Sequence, residues 1–315
     1  MPKSKPNELR ITRFYDAPVK MVWDAWCDPK QAAQWWGPRG FTITTHSKDL
    51  RAGGHWSYTM HGPDGTDYEN KTIYHVVEKH ARLEYDHGGN DDRPPLFRVT
   101  VTFEEYRGGT KMDMIMALPT AEAAAETKKF IKKAGGNGTW DRLAEYLAGQ
   151  GGKDPFVINR SFEAPAEQVF EMWANPEHFA RWLPPTGFQM EFLRADFRAG
   201  GKSFSRMWGE GIQFHNCFEH LEVSKPRQIV YTQQFCDEKG NLSRHPGMPL
   251  WPATMKTTVQ FTPEEEEGAT RVTVTWEIVG DATDAERKAF HDEKPGMTQG
   301  WSGSFDKLED LLAKK

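Results

Sequence analysis

Cysteine is scarce. Three thiols, Cys27, Cys217 and Cys236, stand far apart in 315 residues, with no Cys-x-x-Cys. An odd, scattered set argues against a disulfide framework or a zinc ribbon and fits a reducing cytosol. No apolar run approaches the roughly 18 residues that span a bilayer. The opening residues, Met1-Pro2-Lys3-Ser4-Lys5-Pro6-Asn7-Glu8, hold no apolar segment, so a signal peptide is not expected. Basic excess is missing as well: 40 Lys and Arg face 45 Asp and Glu, a net charge of -5. That balance offers nothing to a phosphate backbone. The run Glu264–Glu267 accounts for most of the acidity of the second half and reads as a solvated turn. The expectation is a cytoplasmic protein that binds neither membrane nor nucleic acid.

Signatures of chemistry are also absent. In Gly300-Trp301-Ser302-Gly303-Ser304, a serine stands where the Gly-x-Ser-x-Gly elbow requires its last glycine. No P-loop or dinucleotide fingerprint occurs. His75 and His80, like His215 and His220, are five apart on strand-like runs. Each pair therefore faces opposite sides and cannot share a metal. Cys27 follows Trp26 in an apolar helix, where a packed thiol is expected. Cys217 and Cys236 fall on separate strands, without cationic neighbours that would lower a thiol pKa. Arg51-x-Gly53-Gly54 and Arg198-x-Gly200-Gly201 read as tight turns, with Asp49 and Asp196 pairing the arginines. No catalytic residue, metal ligand or cofactor is assigned.

Aromatic residues are abundant: 12 Trp, 19 Phe and 8 Tyr. Indoles need an N–H partner when buried, so this content implies two large cores or two apolar cavities. The length itself favours two domains. An internal repeat confirms the count. Shifted by 147, Ile11, Arg13, Ala17, Pro18, Val22, Trp26, Pro29 and Trp35 meet Ile158, Arg160, Ala164, Pro165, Val169, Trp173, Pro176 and Trp182. Gly53, Gly54 and Met60 meet Gly200, Gly201 and Met207. At a larger offset, Gly138, Asp141, Leu143 and Leu147 meet Gly303, Asp306, Leu308 and Leu312. The segment 148–155 reads as a Gly-rich linker, placing the domains at 1–149 and 150–315. Each copy reads as a short strand, two helices opened by Pro, a run of alternating strands, and a long C-terminal helix. The predicted strand pairs are Arg98–Tyr106 with Lys111–Leu118, and Lys256–Thr262 with Arg271–Val279. The fold class is α+β, a bent antiparallel sheet wrapped around a helix.

Three signatures carry a family likeness: Asp28-Pro29 with Trp35-Trp36-Gly37-Pro38-x-Gly40-Phe41, Asp49-x-Arg51-x-Gly53-Gly54-x-Trp56-x-Tyr58-x-Met60, and Gly300-Trp301-x-x-x-Phe305-x-x-Leu308-x-x-x-Leu312. Over both repeats the chain resembles the activator of heat-shock-protein-90 ATPase C-terminal-like family, part of the START-like helix-grip superfamily. The resemblance implies an apolar cavity between the bent sheet and the long helix, used to hold hydrophobic small molecules. In some relatives, such as aromatase/cyclases of polyketide assembly, it implies chemistry there. Co-chaperone members carry an N-terminal domain with an Asn-rich Trp-His-Trp motif. Here the first strand begins within about ten residues of Met1 and no such motif occurs, so chaperone activation is not expected. Where the second repeat has Gly300-Trp301, the first has Gly135-Gly136, followed by Asn137-Gly138. That glycine run predicts a kinked or broken helix.

The two copies also differ on their alternating stripe. Trp56, Tyr58 and Met60 share one strand face, and the aligned residues are Ser203, Ser205 and Met207. The first pocket is expected to be small and filled by Trp56, Tyr58, Met60 and Trp140. The second either opens or is filled by Trp208, Trp251, Trp276 or Trp301. Gly300 is read as letting the helix approach the sheet, which would place Trp301 over the serines. The candidate ligand-binding set is Trp301, Phe305, Ser203, Ser205, Met207, Trp182, Trp208 and Trp251. Binding of a small hydrophobic molecule, mainly in the second repeat, is the leading function. The alternatives are an enzyme using His215, His220 or Glu210 as acid or base, and a protein-partner module in which the duplicated domains act as a built-in dimer.

Overall fold

The structure, a computed structural model, describes residues 5–133, 138–264 and 268–313. The first half contains β1 (Glu8–Tyr15), α1 (Val19–Cys27), α2 (Pro29–Trp35), β2 (Thr42–Lys48), β3 (His55–His61), β4 (Asp67–Glu78), β5 (Arg82–Gly89), β6 (Phe97–Tyr106), β7 (Gly109–Ala117), α3 (Ala121–Lys133) and α4 (Gly138–Gln150). The second contains β8 (Phe156–Phe162), α5 (Ala166–Ala174), α6 (Pro176–Trp182), β9 (Phe188–Arg194), β10 (Lys202–Gly209), β11 (Ile212–Ser224), β12 (Gln228–Cys236), β13 (Thr254–Pro263), β14 (Thr270–Ile278), α7 (Asp284–Asp292) and α8 (Lys294–Ala313). Each half builds one seven-stranded antiparallel sheet, in the orders β1-β7-β6-β5-β4-β3-β2 and β8-β14-β13-β12-β11-β10-β9. The pairs predicted from alternation, β6 with β7 and β13 with β14, are adjacent strands.

The same local devices recur in both copies. Asp28 caps α2 by accepting from the backbone N–H of Lys30 and Gln31, and Asn175 caps α6 from Glu177 and His178. Each side-chain oxygen satisfies donors that the first helical turn leaves free. Trp35 donates its Nε1–H to the Ala25 carbonyl at 3.0 Å, and Trp182 donates to Met172 at 2.8 Å, which pins each short helix to the one before it. Thr110 and Thr270 donate to the carbonyls of Ala17 and Ala164. Arg13 pairs with Asp141 at 3.0 Å, fully buried, and Arg160 pairs with Asp306 at a more exposed position. The turn reading of the Arg-x-Gly-Gly elements holds: Arg51 pairs with Asp49 at 2.9 Å and Gly53 has φ +76. A Cβ on Gly54 would stand 2.1 Å from the Asp49 carbonyl oxygen, so no larger residue fits.

Several expectations change. The chain divides into Met1–Lys153 and Asp154–Lys315, within the segment 148–155 read as the linker, although part of that segment is helical. Ala148-Gly149-Gln150 continue α4, and the amides of Gly151 and Lys153 close it on the Ala148 carbonyl. The glycine run expected to interrupt the first long helix lies mostly outside the described residues. The flanking segments are α3 and α4, whereas the second copy closes with the 20-residue α8 after α7. His80 is not on a strand: β4 ends at Glu78 and His80 takes φ +62 in the turn beyond. Cys217 and Cys236 do lie on separate strands, but their Sγ atoms approach to 2.7 Å.

Candidate functional site

In the first copy the concave side of the sheet is packed with indoles. Trp26 and Trp140 stack at 5.3 Å with an interplanar angle of 11°. Trp36 meets Trp56 edge-on at 5.0 Å, and its Nε1–H donates to the Tyr58 hydroxyl at 3.2 Å. Trp56 and Tyr58 are almost fully buried, Trp140 is buried, and Met60 packs beside them half-buried. The Lys48 ammonium stands 4.0 Å from the centre of the Trp56 ring and donates to the Trp26 carbonyl. Burial lowers its pKa to about 8, against the pull of Cys27 and Asp28. The Trp36–Tyr58 hydrogen bond joins the indole N–H and the phenol oxygen within the aromatic packing.

The second copy is built differently. Strand alternation puts Ser203, Ser205 and Met207 on the core face of β10, all buried. Ser203 accepts from the Asp196 amide at 2.9 Å, so its hydroxyl belongs to the turn. Ser205 pairs across the ladder with Asn216, which pairs in turn with Phe235. Asn216 Oδ1 accepts from Gln233 Nε2 at 3.0 Å. Ser205 Oγ and Asn216 Nδ2 are buried without a hydrogen-bond partner. A short polar belt thus crosses the concave face between apolar neighbours: Phe218 on β11, Met207 on β10, and Met255 opposite Gln233. Trp36 of the first copy is replaced by Leu183, and Trp56 and Tyr58 by the two serines.

Four large side chains of the candidate set, Trp301, Phe305, Trp182 and Trp251, form one cluster. Trp301 lies 5.3 Å from Phe305, 5.7 Å from Trp276 and 6.4 Å from Trp182, and is 5% exposed. Trp251, from the connection between β12 and β13, reaches Trp276 at 6.3 Å and Phe290 of α7 at 5.6 Å. Trp208 does not join them. It is an even-numbered position on β10, opposite in face to Ser205 and Met207, and Arg206 covers its ring at 4.9 Å. Gly300 does not bring the helix close either: a Cβ there would meet nothing within 4 Å. The closer glycine is Gly303, whose Cβ would lie 3.6 Å from the Thr186 hydroxyl.

A crevice does open in this domain, but none of the eight expected residues lines it. Its walls are Trp173, Phe179, Phe192, Phe197, Phe218, His220, Ile229 and Tyr231. Its interior of about 10 Å³ is room for one water. Of the three acid–base candidates, only His220 faces it. His220 Nδ1 is buried without a partner, and burial lowers the pKa of the ring, so it is neutral at pH 7. His215 lies on the opposite face of β11, stacked on Phe204 at 5.3 Å. Glu210 sits in the β10–β11 turn with φ +50. Among the described residues, no group of three or more His, Cys, Asp or Glu is placed to hold a metal, and no helix is long and apolar enough to cross a membrane.

Two copies of an antiparallel seven-stranded sheet closed by a C-terminal helix define a tandem α+β helix-grip protein. The chain belongs to the family described as activator of Hsp90 ATPase homolog 1-like protein, whose pattern it matches twice, over residues 16–148 and 163–313. Among solved structures it is similar to proteins from Mycobacterium smegmatis (26% identity, TM-score 0.42), Nitrosomonas europaea (20%, 0.43) and Arthrobacter aurescens (26%, 0.43). Each match covers 47% of this chain and 99%, 99% and 91% of the respective relative. No curated protein matches the chain.

Proposed function

We propose that the second domain binds a small, mostly apolar molecule carrying one hydrogen-bonding group, held between the concave face of its sheet and α8. One observation carries this reading: Ser205 Oγ and Asn216 Nδ2 are buried and unpartnered inside an aromatic and methionine-lined face. Each unmet buried polar group costs roughly 1–3 kcal/mol. At the equivalent positions of the first copy, Tyr58 and Trp36 satisfy each other. A carbonyl or hydroxyl on a ligand accepts from Asn216 and exchanges a hydrogen bond with Ser205, while the rest of the ligand meets apolar surface. The crevice beside His220 holds no more than a water, so entry requires aromatic side chains to move. In this proposal the cluster of Trp301, Phe305, Trp182 and Trp251 supplies the apolar wall of the site, and Met207, beside Ser205 on β10, its floor.

Native mass spectrometry of the purified chain tests this directly. The expected result is an apolar metabolite co-purifying with the second domain and lost from Asn216→Leu. A chain that arrives empty and binds no apolar fluorescent probe overturns the reading. Chaperone activation is not part of the proposal, since the sequence has no Trp-His-Trp motif. Stimulation of the Hsp90 ATPase by micromolar chain would contradict it. The cytoplasmic setting expected from the sparse cysteines is checked by cell fractionation. His220 alone favours an enzymatic alternative, as a neutral imidazole facing an apolar crevice. It lacks a second catalytic group, and turnover of any captured ligand decides the point.

A further inference from the structure

Cys217 and Cys236 are 19 residues apart, and their Sγ atoms stand 2.7 Å from each other. This is inside the contact distance of two sulfurs. The ladder explains the approach. Cys217 is registered with Gln234, and His215 with Cys236, so the two cysteines are diagonal neighbours on one face of adjacent antiparallel strands. That face is the one opposite Phe218 and Tyr231, away from the proposed ligand site. The chain leaving β12 then folds back over the thiols. Asp237 holds its turn by accepting from the amides of Lys239 and Asn241, and the Gly240 carbonyl lies 3.8 Å from Cys217 Sγ. The cover is uneven: Cys217 is partly exposed and Cys236 is buried.

We propose that Cys217 and Cys236 are a thiol-oxidation site that forms a reversible intramolecular disulfide. A disulfide bond is about 2.05 Å long, so under about 1 Å of sulfur movement separates the thiols from it. The exposure difference assigns the order of events. Cys217 meets the oxidant first: its thiolate attacks hydrogen peroxide, the O–O bond breaks, and after proton uptake a sulfenic acid and one water remain. The Cys236 sulfur then attacks the Cys217 sulfur, the S–O bond breaks, and the departing hydroxide takes up the Cys236 proton as a second water. Two thiols lose two electrons, and the peroxide gains them. A dithiol reductant reverses the step. Burial and the neighbouring Cys217 raise the pKa of Cys236, which keeps it unreactive except towards its neighbour. Cys27 is an internal control, because it is buried in the other domain with its thiol pushed up to about 12.

The test uses the full chain, treated with peroxide, denatured and alkylated. The expected product has one alkylated thiol instead of three, a link between tryptic peptides 207–227 and 228–239, and full recovery of three thiols after dithiothreitol. Three alkylated thiols after peroxide, a link between two chains, or a link to Cys27 overturns the proposal. The order of events has its own test, with dimedone as the trap for sulfenic acid. Cys236→Ser is expected to label at Cys217 at least tenfold faster than Cys217→Ser labels at Cys236. Equal or reversed labelling overturns the assigned order. None of these outcomes depends on whether a ligand binds.

Discussion

Tyr58 and Ser205 occupy the same place in the two copies, and their surroundings make opposite demands. The Tyr58 hydroxyl accepts from Trp36, so Tyr58→Phe orphans an indole N–H and is expected to cost about 1–3 kcal/mol of stability in the first domain. Ser205 has no partner to lose. Ser205→Ala is therefore expected to leave stability unchanged or raise it by about 1 kcal/mol, while weakening any ligand that uses the hydroxyl. Chemical denaturation followed by intrinsic fluorescence checks both. A loss of stability in Ser205→Ala would reveal a partner and remove the main support for the ligand site. Trp301 is buried against the rings of Trp182, Trp276 and Phe305. Truncation to Ala is expected to cost about 3–5 kcal/mol. Probe binding by the folded fraction then separates ligand contact from plain core. His87 adds a pH dependence. Burial among Trp36, Tyr85 and Phe97 lowers its pKa from 6.5 to about 4. The unfolded chain therefore binds the proton more tightly, and stability is lost as pH falls from about 6.5 towards 4. An NMR titration should find the His87 ring still neutral at pH 5 in the folded protein.

The C-terminal helices hold the segments after α2 and α6 through cations that reach backbone carbonyls. Arg142 of α4 donates to the carbonyls of Gln34, Gly37, Pro38 and Phe41, and Lys307 of α8 does the same for Pro184 and Pro185. Replacing Arg142 by Met strands several carbonyls at once. It is expected to lower first-domain stability by about 3–5 kcal/mol, leaving the second-domain transition where it was. Two-transition calorimetry distinguishes this from a general loss. Much at this level could be read from the sequence. Alternation gave β6, β7, β13 and β14 because buried apolar residues recur on one face of each, as with Met112, Met114 and Met116 or Val272 and Val274. The 147-residue offset placed α1, α2, α5 and α6 because Pro and Trp are rare enough to mark a register. The same alternation excludes Trp208 from the core face, since it differs in parity from Ser203, Ser205 and Met207. The side of α8 that Gly300 occupies was not legible, because a glycine adds no apolar signal to the helical period. Nor was the meeting of Cys217 with Cys236, which depends on a strand register set by the whole β11–β12 ladder. The His220 crevice was missed for a similar reason, since Phe179 and Phe197 reach it from a helix and a turn.

Each unit has its own sheet, its own closing helix and its own hydrophobic cluster. Residues 1–153 and 154–315, produced separately, are each expected to fold. The check is a cooperative unfolding transition for each half and a summed far-ultraviolet spectrum that matches the intact chain. Apolar-probe binding should follow the second half alone. A half that stays unfolded would mean the duplication is obligatory, which favours the partner-module reading over ligand binding. The duplication lets the two copies fill equivalent interior positions differently, with Trp36, Trp56 and Tyr58 in one and Leu183, Ser203 and Ser205 in the other.

The indole cluster of the first domain has an optical consequence. Trp26, Trp35, Trp36, Trp56 and Trp140 form a connected array in which successive ring centres are 5.0–5.5 Å apart. At such spacings the transition dipoles of neighbouring indoles couple, and excitation migrates among them before it is emitted. The first domain should therefore have an intense, exciton-split near-ultraviolet circular dichroism band and strongly depolarised fluorescence. The second domain has indole pairs of its own at 4.3–6.4 Å, so the array is followed most cleanly in residues 1–153 produced alone, where both signals are lost when it comes apart.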